Sequence, residues 1–234
     1  MSKKVRNKQN RLQAPPTRTD ADNQAWLSMW RRDQIAFHKT STNEFLRKHW
    51  PPVAEPVQRV LVPLCGKSVD MLWLRAQGFE VVGIELSEVA IKAFFEDNSI
   101  PYQRQIMAGF DCWQGGGFTL FRGDFFEMTS ALLGRVDLVY DCASLTALGV
   151  SIRPLYVRHM RRILPDGQCP MYVLTVEDLQ ERDTQGTIDA ELAELYSRYF
   201  EIRVMDSDRQ KTTRPYPQPV LVTDTKFYEL MPKA

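Results

Sequence analysis

The sequence predicts a single α/β domain built on a mostly parallel sheet with helices on its faces. Three observations predict it. A short apolar run, Val60 to Leu64, is followed by a tight turn at Cys65-Gly66-Lys67. Val69, Leu72, Trp73 and Ala76 then recur at helical spacing until Gly78. A second apolar run, Phe79 to Ile84, ends on the acidic Glu85. Runs without polar alternation suit strands buried on both faces, and the spaced apolar residues with a closing glycine suit a crossover helix. Together they form one βαβ unit of a doubly wound sheet, with a nucleotide-receiving crevice at the strand ends and an acid able to hold ribose hydroxyls.

Three ligands compete for that crevice. A dinucleotide calls for G-x-G-x-x-G, and only Gly66 is present. Gly66-Lys67-Ser68 imitates the end of a Walker A loop, but the glycine required five positions earlier is Leu61, inside the strand. S-adenosyl-L-methionine carries no phosphate, needs one glycine for close backbone approach to its amino-acid end, and can use Glu85 for its ribose. It fits best, with S-adenosylhomocysteine as product. A plain buried turn beside an exposed glutamate is the competing reading.

Further along the chain, Ser87 caps a helix through Ala90, Ile91, Phe94 and Phe95. An irregular segment begins at Pro101 and ends at Gly115-Gly116-Gly117. A third strand at Thr119 to Arg122 stops at Gly123-Asp124-Phe125. Asp124 can accept from an adenine amine while Phe125 packs on the purine face, and Asp124 as a turn residue is the alternative. The fourth strand, Val136 to Tyr140, leads into Asp141 and Cys142. It lies beside the first strand across the switch point, so its end faces the reacting centre. A helix over Pro154 to Leu164, a fifth strand at Met171 to Val176, a polar helix at Ile188 to Phe200 and two closing strands complete the chain. Between those strands, Arg214-Pro215-Tyr216-Pro217 is a basic loop able to reach the site's mouth.

Pro63-Leu64-Cys65-Gly66-Lys67-Ser68, Val82-Gly83-Ile84-Glu85-Leu86-Ser87 and Phe94-Phe95 resemble the thiopurine S-methyltransferase family. So does the upstream spacing W-x3-W-x6-F-H, formed by Trp26, Trp30, Phe37 and His38. The resemblance runs to about Pro165. It implies a Rossmann-like class I methyltransferase: seven strands, parallel except one near the C-terminus, under an N-terminal helical lid at residues 21–50. In that family the aromatic segment covers the cofactor and borders the substrate, whereas on spacing alone these aromatics equally cover a sheet edge. A sulfonium is attracted to aromatic faces by roughly 0.5–2 kcal/mol. The implied cofactor-binding set is Trp26, Trp30, Phe37, Leu64, Cys65, Gly66, Glu85, Asp124, Phe125 and Asp141. Asp141 and His38 are candidates for orienting the acceptor or taking its proton, with His38 as a satisfied core histidine the alternative.

The chain also departs from the family. Family members carry aspartate-arginine where this chain has Asp141-Cys142, and a G-P-P-F loop where it has Glu177-Asp178-Leu179-Gln180. The expected activity is therefore methyl transfer to a small thiol or thiopurine-like acceptor. The alternatives are another small acceptor (a selenium or tellurium species, a halide, a hydroxyl) and a binding protein without catalysis.

Composition sets the remaining expectations. A chain of 234 residues makes one sizeable domain, and a formal net charge of +1 calls for neither nucleic acid nor an anionic membrane. No apolar run approaches the ~18 residues of a membrane span, and the basic N-terminus lacks an apolar signal core. Cys65, Cys112, Cys142 and Cys169 show no C-x-x-C spacing and read as reduced thiols. The three histidines lack metal-ligand spacing, so no metal is expected. The expectations are a cytoplasmic monomer with a small-molecule partner, a flexible tail at residues 1–20 and a catalytic domain over 21–234.

Overall fold

The structure, a computed structural model, describes residues 18–52, 58–167, 169–178, 187–212 and 221–233. Residues 1–17, most of the expected tail, lie outside that set, as does the Arg214–Pro217 loop. Helices α1 (Arg18–Arg31) and α2 (Glu44–His49) precede the sheet. The βαβ unit follows as β1 (Arg59–Pro63), α3 (Asp70–Ala76) and β2 (Glu80–Glu85), then α4 (Glu88–Asp97). Ser87 caps α4 by accepting from the Ala90 amide, as its position predicts. Strands β3 (Gln103–Met107), β4 (Phe110–Gly115) and β5 (Phe118–Arg122) lead to α5 (Ser130–Leu133) and β6 (Leu138–Cys142). The chain closes through α6 (Ser144–Ala147), α7 (Arg153–Ile163), β7 (Met171–Asp178), α8 (Ile188–Tyr196), β8 (Phe200–Thr212) and β9 (Leu221–Pro232).

The sheet runs β3-β4-β5-β2-β1-β6-β7-β9-β8. Pairs β5-β2, β2-β1, β1-β6 and β6-β7 are parallel, and β9 is antiparallel to both neighbours. The β1/β6 junction is the switch point, where successive connections leave in opposite directions.

Among the described residues, nine strands replace the expected seven. The segment after Pro101, expected to be irregular, is the antiparallel hairpin β3-β4, joined at Ala108-Gly109 and added to the sheet edge beside β5. Every residue of β3 is exposed, so the strand lacks the alternation that marks a half-buried one. The hairpin makes β4 a second antiparallel strand in the sheet.

Side chains of β1 alternate between two cores. Leu61 packs with Val82, Val139 and Tyr156 on the α7 face; Val60 and Val62 pack with Met71, Leu74 and Tyr140 on the α3 face. That alternation later decides which acids see the cavity.

Candidate active site

The turn after β1 is shaped by two unusual backbone positions. Leu64 has φ of +46° and Gly66 of +53°. Left-handed backbone in a leucine is rare and held only by its surroundings. A Cβ on Gly66 would also lie 3.1 Å from Cζ2 of Trp30, so glycine is favoured both by conformation and by proximity. The turn thus passes directly beneath the aromatic segment.

Glu85, ending β2, faces this turn. The Gly66 amide donates to its Oε2 at 2.9 Å, and the Ser87 amide donates to Oε1 at 2.7 Å. The residue is only 7% exposed, which removes the exposed-glutamate reading. Burial raises its pKa, and the amides of Ser87, Gly66 and Leu86 oppose the rise. The two oxygens retain accepting capacity beyond these amides. Cys65, packed behind, is buried, and desolvation followed by the Glu85 charge pushes its thiol well up. It stays protonated.

Asp124 follows β5 and caps a 3-10 turn: its Oδ1 accepts from the Phe126 amide at 2.8 Å. Its Oδ2 accepts from Nδ2 of Asn23 at 2.6 Å, tying α1 to the end of β5 across the cavity. Phe125 is 2% exposed, its ring centroid 5.0 Å from both Tyr156 and His159.

Above the turn, Phe37 meets Trp26 and Trp30 edge-on at 5.5 and 5.7 Å between centroids. Trp30 is buried, whereas Phe37 remains 45% exposed. His38 is half-buried, and its pKa is lowered, first by burial and then by Lys67, against an opposing pull from Asp97. It is neutral at pH 7.

The end of β6 divides by strand parity. Asp141 points toward α7, fully buried, accepting from the amides of Ser144 at 2.8 Å and Leu145 at 3.3 Å and from the Tyr156 hydroxyl at 2.7 Å. Desolvation raises its pKa to about 6 against those bonds. Cys142 points the other way. Its thiol lies 3.6 Å from Asp70 Oδ2, and burial followed by the Asp70 charge pushes its pKa up, so it is no thiolate. Ala143 next to it has φ of +59°, matching the strain at Leu64, and the Ser144 hydroxyl donates to the Pro63 carbonyl at 2.8 Å, binding the two strand ends together.

These elements enclose a cavity of ≈ 620 Å³, within the usual range for small-molecule sites. Trp26, Trp30, Phe37, His38, Leu64, Cys65, Gly66, Glu85, Asp124 and Phe125 all line it; Asp141 does not. Sequence reasoning missed Asn23, Asn43 and Asp70 on the wall, as well as Leu174 of β7 and Thr225 of β9. Asn43 carried a readable signal, since it caps α2 by accepting from the amides of Phe45 and Leu46. Asp70 carried a misleading one, because an acid in the first turn of a helix reads as complementing the dipole.

The fold is that of class I S-adenosyl-L-methionine-dependent methyltransferases. The same architecture occurs in the 1,6-didemethyltoxoflavin-N1-methyltransferase of Burkholderia thailandensis, solved with 1,6-didemethyltoxoflavin and S-adenosylhomocysteine bound. That likeness has a TM-score of 0.56 at 17% identity over 92% of each chain. A SAM-dependent methyltransferase of Anabaena variabilis matches at TM-score 0.53 and 12% identity, covering 92% of this chain and 96% of that one. Over residues 21–232 the sequence matches thiopurine S-methyltransferase, and the chain belongs to that family. Relatives named thiopurine S-methyltransferase include one from Stutzerimonas stutzeri, 45% identical over 79% of this chain and 80% of its own. Another, from Nitrosospira multiformis, is 40% identical over 77% and 83%.

Proposed function

We propose that this methyltransferase acts on a small thiol or thiopurine-like acceptor, and that the cofactor occupies the Gly66–Glu85 end of the cavity. The observation that carries the reading is the single cavity with two chemically different ends. One end holds the side-chain-free Gly66 beneath Trp30 and the buried Glu85 with accepting capacity on both oxygens. The other, beside β6 on the opposite side of β1 from β2, holds Cys142 and the Asp70 in contact with it. The first end fits S-adenosylmethionine: an unbranched backbone approach for its amino-acid portion, a carboxylate for ribose hydroxyls, and aromatic rings for a sulfonium. The bound cofactor supplies an activated methyl group on sulfur.

The protein's part is positioning. Gly66 admits close approach at the turn, and Glu85, already oriented by two amides, accepts from the ribose without reorganising. Trp26, Trp30 and Phe37 roof the cavity and exclude water. Neutral His38 is available to accept the acceptor's proton at the cavity wall. Asp141, bonded to Tyr156 and the α6 amides, is proposed as a positioning residue that holds the β6 end and thereby Cys142. Its direct contact with cofactor or acceptor, expected from sequence, has no support in this geometry. An aromatic thiol is largely ionised near neutral pH, so alignment alone supplies much of the rate.

Cys142 gives a specific reason to favour uncharged thiols over anionic acceptors, since among the described lining residues no guanidinium stands at the β6 end. Turnover on a panel of small thiols, thiopurines, halide and selenite, read as S-adenosylhomocysteine formation, tests the reading. Methylation of thiols is expected. Tight cofactor binding with no turnover on any member would leave a binding protein instead.

A further inference from the structure

Asp70 is a buried carboxylate for which the positioning scheme above has no use. It is 4% exposed, opens α3 and lies on the cavity wall. Its Oδ1 accepts from the Asn43 amide at 2.8 Å. Its Oδ2 accepts from the Tyr140 hydroxyl at 2.8 Å and faces the Cys142 thiol at 3.6 Å. Three neutral donors on two elements, the cap of α2 and β6, thus fix it in place. Among the described residues no cation acts on it. That is unusual, since buried carboxylates are ordinarily paired with a cation.

The surroundings reinforce the sign. The described lining carries six acids, Asp22, Glu44, Asp70, Glu85, Asp124 and Asp208, against two lysines, Lys39 and Lys67. Lys67 is itself engaged by Asp97 at 2.9 Å. Asp70 contacts Cys142 at the end of β6, which lies on the opposite side of β1 from β2 and Glu85, and the acceptor must enter there if the cofactor sits on Gly66 and Glu85.

We infer that Asp70 is the specificity-determining residue of the acceptor site, selecting acceptors that bring a hydrogen-bond donor or a positive charge and rejecting those that bring an anionic substituent. This rests on the cofactor placement proposed above. A carboxylate with spare accepting capacity rewards an incoming donor, because that bond is charge-assisted. An incoming anion meets a like charge in a low-dielectric site and finds no arginine among the described lining residues.

The test separates acceptor-site binding from turnover. Three methyl thioethers differing only at the para position, 4-(methylthio)benzylamine, 4-(methylthio)benzyl alcohol and 4-(methylthio)benzoate, are titrated by calorimetry into the S-adenosylhomocysteine-loaded protein. The amine and alcohol are expected to bind at least tenfold more tightly than the benzoate. Asp70→Asn is expected to bring the benzoate within about threefold of the alcohol. If that variant does not fold, Tyr140→Phe serves, since the lost hydroxyl no longer favours the charged carboxylate and the gap should narrow. A flat order in the wild type, a preference for benzoate, no binding of any probe, or a gap that does not move as stated in the variant overturns the inference. Methyl transfer to the corresponding thiols is followed separately. The binding order without transfer defeats the thiol reading and leaves Asp70 its role, whereas transfer with a flat order does the reverse.

Discussion

At the scale of single residues, two carboxylates of similar burial do different work because of what surrounds them. Glu85 keeps accepting capacity toward the cavity, so Glu85→Ala should cost roughly 1.5–3 kcal/mol of S-adenosylhomocysteine affinity, the worth of a charge-assisted bond. Unchanged affinity by calorimetry would sink the ribose assignment. Asp141 spends its oxygens on Tyr156 and two amides, and its effect should appear in stability. Its pKa, about 6 in the fold, stands above the value in an unfolded chain. The native state therefore binds more protons, and the stability this group contributes is fully present below about pH 4 and lost as pH rises through 6. The loss is on the order of 3 kcal/mol. Asp141→Asn preserves the acceptor for both amides and removes the charge, so its unfolding free energy should be flatter than wild type between pH 4 and 7. Parallel pH profiles for the two proteins would count against the argument. The contrast between these acids was only half legible. Glu85 could be read because it ends a recognisable strand, whereas Asp141's direction depends on strand parity relative to a core that local spacing does not reveal.

Among elements, α1 is the one whose position the cavity most depends on. It is held by the Asn23–Asp124 bond at 2.6 Å, by Trp30 on Gly66 and by the edge-on contacts of Trp26 and Trp30 with Phe37. Polar tethering with a partly exposed aromatic tip marks a segment of low local stability. Adding S-adenosylhomocysteine should therefore slow hydrogen exchange across residues 22–40 and change tryptophan fluorescence. Asn23→Ala should weaken that protection several-fold while leaving exchange in β1 and β2 unaltered. Equal protection with and without ligand would reduce α1 to a sheet cover. The aromatic spacing of this segment was readable, but its fastening was not, because Asn23 and Asp124 are 101 residues apart in sequence. The β3-β4 hairpin was lost for a related reason: an edge strand with no buried face leaves no periodic trace.

For the whole molecule, ligand binding and folding are linked. S-adenosylhomocysteine at 100 times its Kd should add about 2.7 kcal/mol to stability. For a domain of this size that raises Tm by about 5–10 °C. Glu85→Ala, at the same ligand concentration, should retain only part of that rise; a full rise in the variant would place the ligand elsewhere. By itself the sequence determined the βαβ unit, the glycine turn, the acid closing β2 and the cap of α4. Each is written in contacts a few residues apart, where period, φ and capping chemistry act directly. The tertiary structure alone decided which acids look into the cavity. Asp70 and Tyr140 meet across 70 residues, and parity at the end of β6 sends Asp141 to α7 and Cys142 to Asp70. Such pairings follow from how the layers close on one another, and no local pattern carries that information.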